Sequence, residues 1–213
     1  YDCELAMLVP NKQGVDRAKK IGVENFNVFF SPSENFNMSN HGKVSNQIFT
    51  EYCAALDGVP KDNIRVYLSC MFGCPYTGGI EQERMERALR WADSLGTTIV
   101  LADTIGNADP TLIRSVIDMT RGLGINSKLA LHLHHGRRKN RMFDNLSTAF
   151  DLGIREFDSS IGGMGGCPFV PGSGGNLATE DLVNWGNEEG LDCGVAPQDL
   201  GVLTEYVEKT LKH

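Results

Sequence analysis

The chain has 213 residues, 22% charged and 41% hydrophobic, with 24 Gly, 8 Pro and 6 Cys. That composition excludes collagen-like, disordered and small disulfide-framework proteins. With 20 Lys and Arg against 27 Asp and Glu, the net charge of -7 speaks against a general nucleic-acid-binding surface. No apolar run reaches the roughly 18 residues of a membrane helix. Tyr1-Asp2-Cys3-Glu4 has neither the basic charge nor the following apolar stretch of a signal peptide. Cys3, Cys53, Cys70, Cys74, Cys167 and Cys193 are scattered and read as reduced thiols of an intracellular protein.

Short apolar, β-rich runs alternate with segments of helical period. The predicted strands cover residues 3–9, 26–31, 64–70, 98–104, 128–134 and 156–161. Between them, Val44, Ile48, Tyr52, Ala55 and Leu56 share one helical face, as do Met85, Ala88, Leu89, Ala92 and Leu95. After the last strand, one helix enters at Thr179. A second enters at Pro197, with Leu200, Leu203, Val207 and Leu211 on its inner stripe. Strand alternating with helix implies right-handed crossovers and a parallel α/β sheet.

Polar residues gather at the strand exits: Asn11, Ser31 and Ser33, Cys70 and Cys74, Asp103, His132 and His134, Asp158 and Ser159. Functional groups at the carboxyl ends of successive parallel strands favour a (β/α)8 barrel over a doubly wound sheet. Six strands are found where a closed barrel has eight.

In His132-Leu133-His134, side chains two apart on a strand face the same way, so both imidazoles point inward. With oxygen ligands they could hold a divalent metal; two hydrogen-bonded histidines at a barrel mouth are the other reading. His135 points away and reads as structural. Gly162, Gly163, Gly165 and Gly166 precede Cys167 and could form a mobile loop carrying a nucleophile or acid. A flexible turn with an inert thiol has the same sequence. Asp103 suits either acid/base work or capping of the turn after it through Thr104 and the Ile105-Gly106 backbone. Cys70 and Cys74 lack a second pair at zinc spacing and read as space-filling. Arg137, Arg138, Lys139 and Arg141 form a basic cluster that could attract an anion or simply face solvent.

Residues 158–169 (DSSIGGMGGCPF), running on to 175–181 (GNLATED), resemble the signature loop of hydroxymethylglutaryl-CoA lyases, metallolyases built on a (β/α)8 barrel. Residues 67–76 (YLSCMFGCPY) and 101–106 (LADTIG) agree, and the resemblance covers nearly the whole chain. It implies a single TIM-barrel domain over 1–213. It also implies metal ligation by His132, His134 and Asn176, a catalytic Cys167 on the mobile loop, and Asp103 and His132 at the reacting centre. The implied reaction is cleavage of 3-hydroxy-3-methylglutaryl-CoA to acetyl-CoA and acetoacetate with Mg²⁺ or Mn²⁺. An acyl-CoA substrate and a homodimer follow from the same resemblance, while the net charge and the lack of a long apolar run argue against nucleic-acid and membrane partners. So does a location that is cytoplasmic if bacterial and mitochondrial if eukaryotic.

The family usually carries aspartate where His135 stands, and Thr-Tyr-Gly where this chain has Gly136-Arg137-Arg138-Lys139. A related acyl-CoA is therefore a second candidate substrate. The family's first two βα units, bearing an Arg-Asp pair and a catalytic glutamate, have no counterpart here. The 213 residues are accordingly expected to be N-terminally incomplete, inactive alone, and either aggregation-prone or paired through open strand edges. Two alternatives stay open: a condensing relative of the isopropylmalate or homocitrate synthase type, which lacks the Gly-Gly-Cys-Pro loop, and a decayed non-catalytic acyl-CoA-binding barrel.

Overall fold

The computed structural model describes residues 3–136, 141–166 and 174–211. Six strands form one parallel sheet in sequential order: β1 (Ala6–Leu8), β2 (Asn25–Phe30), β3 (Ile64–Leu68), β4 (Thr98–Ala102), β5 (Lys128–His132) and β6 (Glu156–Asp158). Helices α1 (Lys12–Lys20), α2 (Glu34–His41), α3 (Ser45–Ala55), α4 (Gln82–Leu95), α5 (Pro110–Gly122) and α6 (Arg141–Asp151) occupy the crossovers. Helices α7 (Thr179–Glu188) and α8 (Pro197–Leu211) follow β6.

All six expected strands are present, but their ladders stop one to three residues short of the expected carboxyl ends. Single backbone bonds continue just past the ladders, as from the Ser69 N–H to the Phe30 carbonyl, and side chains then take over. Cys70 takes a left-handed φ of 64°, and its N–H donates to Thr104 Oγ1 at 2.7 Å.

Helix starts follow local chemistry. The Asn11 side chain accepts the Gly14 N–H ahead of α1, and Asp109 accepts the Leu112 N–H ahead of α5, where Pro110 takes the first helical position. The α4 stripe from Met85 to Leu95 is buried as its period predicts, as are Ile48, Tyr52, Ala55 and Leu56 around α3. Two stripe positions differ from expectation. Val44 is the N-cap of α3 and is 39% exposed, because a capping residue precedes the helical face. Leu203 is 49% exposed although Leu200 is buried, because the start of α8 meets the protein while the face bearing Val202, Leu203 and Tyr206 turns outward.

Strand alternation sorts the side chains into two layers. Phe26, Val28 and Phe30 on β2, with Ile64, Val66 and Leu68 on β3, are buried in the main core beneath the helices. Asn27, Phe29, Arg65 and Tyr67 lie on the opposite, inner face and are half-buried. That inner face is concave. Arg65 on β3 reaches Glu156 and Asp158 on β6, each at 3.4 Å, although β4 and β5 lie between. Three strand spacings would put those strands about 14 Å apart in a flat sheet. The sheet therefore curls as a barrel wall does, and its carboxyl rim becomes the mouth of a cavity.

Candidate active site

Along the rim, β4, β5 and β6 are in register at Ala102, His132 and Asp158. Leu133 points into the core while His132 and His134 turn inward together. His134 is held by an isolated bridge to Asn176, and the Leu177 N–H donates to the Leu133 carbonyl at 2.9 Å. This pairing brings the segment after the Gly-rich turn alongside the histidines.

The two Nε2 atoms of His132 and His134 face each other at 3.1 Å. That is close to the separation of two neighbouring ligand atoms around an octahedral ion with bonds of about 2.1 Å. The Asn176 amide donates its Nδ2 to the Met164 carbonyl at 2.7 Å, which turns its oxygen toward His134. Burial, reinforced by the charge of His132, brings the His134 imidazole down to about 4, so it is neutral at pH 7 with a lone pair to offer. Two imidazoles and an amide oxygen fit a divalent cation of intermediate softness. Among the described residues, no group of three or more His, Cys, Asp or Glu side chains is placed to hold a metal ion, here or elsewhere, so the third protein ligand at this rim would be the Asn176 amide.

The histidines line a cavity of about 780 Å³, together with Asn27, Phe29, Tyr67, Asp158, Gly165, Gly166 and Asn176. Phe29, Phe36 and Phe157 give part of its wall an apolar character. His135 turns away, as alternation predicts, and pairs through Nε2 with Asp181 at 3.3 Å. Ile161–Gly163 forms a short 3-10 turn in which Gly162 and Gly163 take positive φ, with the Gly162 N–H on the Glu180 carboxylate. Gly165 takes a φ of 96°, where an L side chain is strained, and a Cβ there would stand 2.7 Å from Asn176 Nδ2 and displace that amide. Cys167, Arg137, Arg138 and Lys139 lie outside the described residues. Arg141 faces Asp109 at 3.6 Å.

Asp103 makes the contacts of a turn cap, to the Asn107 and Ala108 backbone rather than to Ile105-Gly106. Its carboxylate accepts the N–H groups of Asn107 at 2.9 Å and Ala108 at 3.0 Å, and it is 1% exposed, behind the cavity wall rather than on it. Burial pushes its pKa up to about 6, against the pull of those amides and of His132. The folded state thus holds this proton more tightly than the unfolded chain, so its contribution to stability falls as pH rises from about 4 to about 6 and is flat above. A shift of this size corresponds to about 3 kcal/mol. Asp103→Asn removes the titration, so urea unfolding should show the wild type losing about that much relative to the variant between pH 4 and pH 6. A constant difference would mean that Asp103 ionises as it does in water.

Cys70 and Cys74 are buried, and none of the five described cysteines is in a disulfide. Burial pushes the Cys70 thiol up to about 12. For Cys74, burial is outweighed by hydrogen bonding with Ser33 and Thr77 and from nearby backbone N–H groups, and its pKa falls below the ordinary thiol value. Ser33 Oγ is 3.0 Å from Cys74 Sγ.

Sequence reasoning left out Arg65 and Tyr67. The Tyr67 ring meets His132 edge-on with centroids 6.1 Å apart, and Arg65 holds the carboxylate beside that histidine. The signal was present: both are large polar side chains at alternate positions of a strand whose other face is wholly apolar.

The HMGL-like family profile matches residues 4–207. The chain belongs to the HMGL-like family. It is 34% identical over 209 residues to a hydroxymethylglutaryl-CoA lyase of Bacillus subtilis, covering 97% of this chain and 69% of that one. It is 32% identical over 211 residues to an (R)-citramalyl-CoA lyase of Chloroflexus aurantiacus, covering 96% and 65%. Among solved structures, an HMG-CoA lyase of Acinetobacter baumannii in complex with coenzyme A and 3-methylmalate superposes with a TM-score of 0.91 at 30% identity, over 100% of this chain and 70% of that one. This HMGL-like chain is lyase-like, and the condensing-synthase alternative is not favoured by these relatives. No helix among the described residues is long and apolar enough to cross a membrane.

Proposed function

We propose that this chain forms the metal-binding part of an HMG-CoA lyase, cleaving 3-hydroxy-3-methylglutaryl-CoA to acetyl-CoA and acetoacetate. The observation that carries the reading is the convergence of His132 Nε2, His134 Nε2 and Asn176 at the mouth of the inner cavity in an HMGL-like chain. His132, His134 and Asn176 would hold the divalent cation, Mg²⁺ or Mn²⁺. When bound, it lowers the pKa of a coordinated substrate hydroxyl and fixes the substrate's orientation. The inner face then orients the acyl end, with the apolar wall excluding water from it. A base takes the hydroxyl proton, the role that the family resemblance gives to Asp103 or His132 at the reacting centre; the adjacent C–C bond then breaks and its electron pair passes to the acetyl-CoA enolate. Cys167, carried on the Gly-rich segment, would return a proton to the enolate carbon. Asp103 would also cap the β4 turn.

The rim sets this arrangement on a barrel. The six strands would be three quarters of a closed wall in a single domain, with two further βα units between β6 and β1. Three features support that: the curl of the sheet, the absence of a strand partner on the outer edges of β1 and β6 among the described residues, and the 65–69% of their length that the chain spans in the two curated relatives above. An acyl-CoA substrate is supported by the coenzyme A in the Acinetobacter relative's structure. The citramalyl-CoA lyase relative makes a shorter acyl-CoA the second candidate.

The test compares the 213 residues with a form bearing roughly 70 additional upstream residues, two units of typical barrel size. Both are assayed for Mn²⁺-dependent cleavage of 3-hydroxy-3-methylglutaryl-CoA and of citramalyl-CoA. Cleavage of the first by the longer form alone is expected. No cleavage of either thioester by either form overturns the lyase reading.

A further inference from the structure

The two rim histidines differ in their outer support. His132 turns Nδ1 to Asp158 Oδ2 at 3.2 Å, whereas the buried Nδ1 of His134 has no hydrogen-bond partner. A carboxylate only accepts, so Asp158 keeps the His132 proton on Nδ1 and leaves a lone pair on Nε2. In the facing Nε2 pair, the bridging proton must then come from His134. An outer carboxylate fixes the His132 tautomer from its Nδ1 side, whereas His134 has no outer partner and takes its Nε2–H form only from His132 while no cation is bound.

Asp158 is itself held. Its other oxygen meets Arg65 NH2 at 3.4 Å, and Arg65 NH1 meets Glu156 at 3.4 Å. The guanidinium therefore crosses the barrel interior to fix the carboxylate, and Tyr67 closes the His132 ring on a third side. These groups come from β3, β5 and β6, so the arrangement is a product of the curled sheet rather than of one loop.

We propose that Asp158 is a positioning residue that locks His132 in its Nδ1–H tautomer, with Arg65 holding Asp158 in place, so that His132 Nε2 is preset as a metal ligand. The inference rests on the metal reading above and deepens it. Histidine ligands are commonly oriented in this way by an outer carboxylate, and removing that partner typically weakens metal binding 10–100-fold. An isosteric amide is the sharpest probe. Asp158→Asn keeps the shape but can offer an N–H to Nδ1, permitting the Nε2–H tautomer that cannot ligate, as in the amide variant of a serine protease triad.

The experiment uses two readouts on Asp158→Asn and Arg65→Met. Nitrogen–proton correlation spectra of ¹⁵N-histidine protein without metal report the His132 tautomer. Calorimetric titration with Mn²⁺ reports affinity without turnover. Wild type should show the Nδ1–H pattern. Asp158→Asn should show mixed or reversed tautomers and a 10–100-fold weaker Kd, and Arg65→Met a smaller change in the same direction. A wild-type tautomer and Kd in Asp158→Asn, with only a lowered Tm, would make the Arg65–Asp158 pair a structural tie and overturn the proposal. Failure of the wild type to bind Mn²⁺ while the tautomer still responds would instead remove the metal reading. If Asp158→Asn does not fold, Arg65→Met decides by the same two readouts.

Discussion

His134→Ala should weaken Mn²⁺ binding by more than about 100-fold and remove acyl-CoA cleavage with it. Loss of an outer-shell partner alone typically costs 10–100-fold in metal affinity, and this substitution deletes a proposed ligand. The imidazole lies 3.1 Å from its partner's Nε2 and is neutral at pH 7, so no charge repulsion is relieved by its removal. A single remaining histidine and the Asn176 amide would leave a site with one strong neutral donor. His134 is also the bridge residue to Asn176, but that pairing runs through the backbone and survives truncation of the side chain. Calorimetric titration with Mn²⁺ checks the first effect and an acetoacetate assay the second. Unchanged affinity would move the metal away from this rim.

Cys167→Ser should lower turnover by about two orders of magnitude or more while leaving metal affinity as it was. Serine preserves size and hydrogen bonding but is a far weaker acid, and a positioned proton donor contributes about 10²–10⁴-fold. The division between the two readouts separates this effect from the first. Loss of both together in Cys167→Ser would mean that the Gly-rich segment supports the ligands rather than the proton transfer. Near-normal turnover would reduce the thiol to packing.

The sequence made the architecture legible because its signals were local. Six β-rich runs correspond to the six parallel strands, and the stripes at residues 48–56 and 85–95 to the buried faces of α3 and α4. The His-x-His pair was legible for the same reason, since alternation alone turns two such side chains to one face. What was not legible depends on distance in the chain. Nothing near Arg65 announces that it meets Asp158, 93 positions away, because that contact requires the sheet to curl. Asp103 left two roles open because a carboxylate at a strand end has the same letter whether it faces a cavity or the backbone of its own turn. Its burial and its bonds to Asn107 and Ala108 came only with the fold.

The strand order also has a temporal meaning. Each strand pairs with the next in sequence, so the sheet can be laid down one βα unit at a time as the chain emerges, with modest loop-closure cost at each step. The Arg65–Asp158–His132 connection is the exception. It joins the third strand to the fifth through the sixth and cannot form until β6 docks. The imidazole that faces the cavity is therefore set only after most of the framework exists. An assembly intermediate lacking β6 would carry a well-formed core beneath an unset rim. Maturation of the site is thereby tied to completion of the wall.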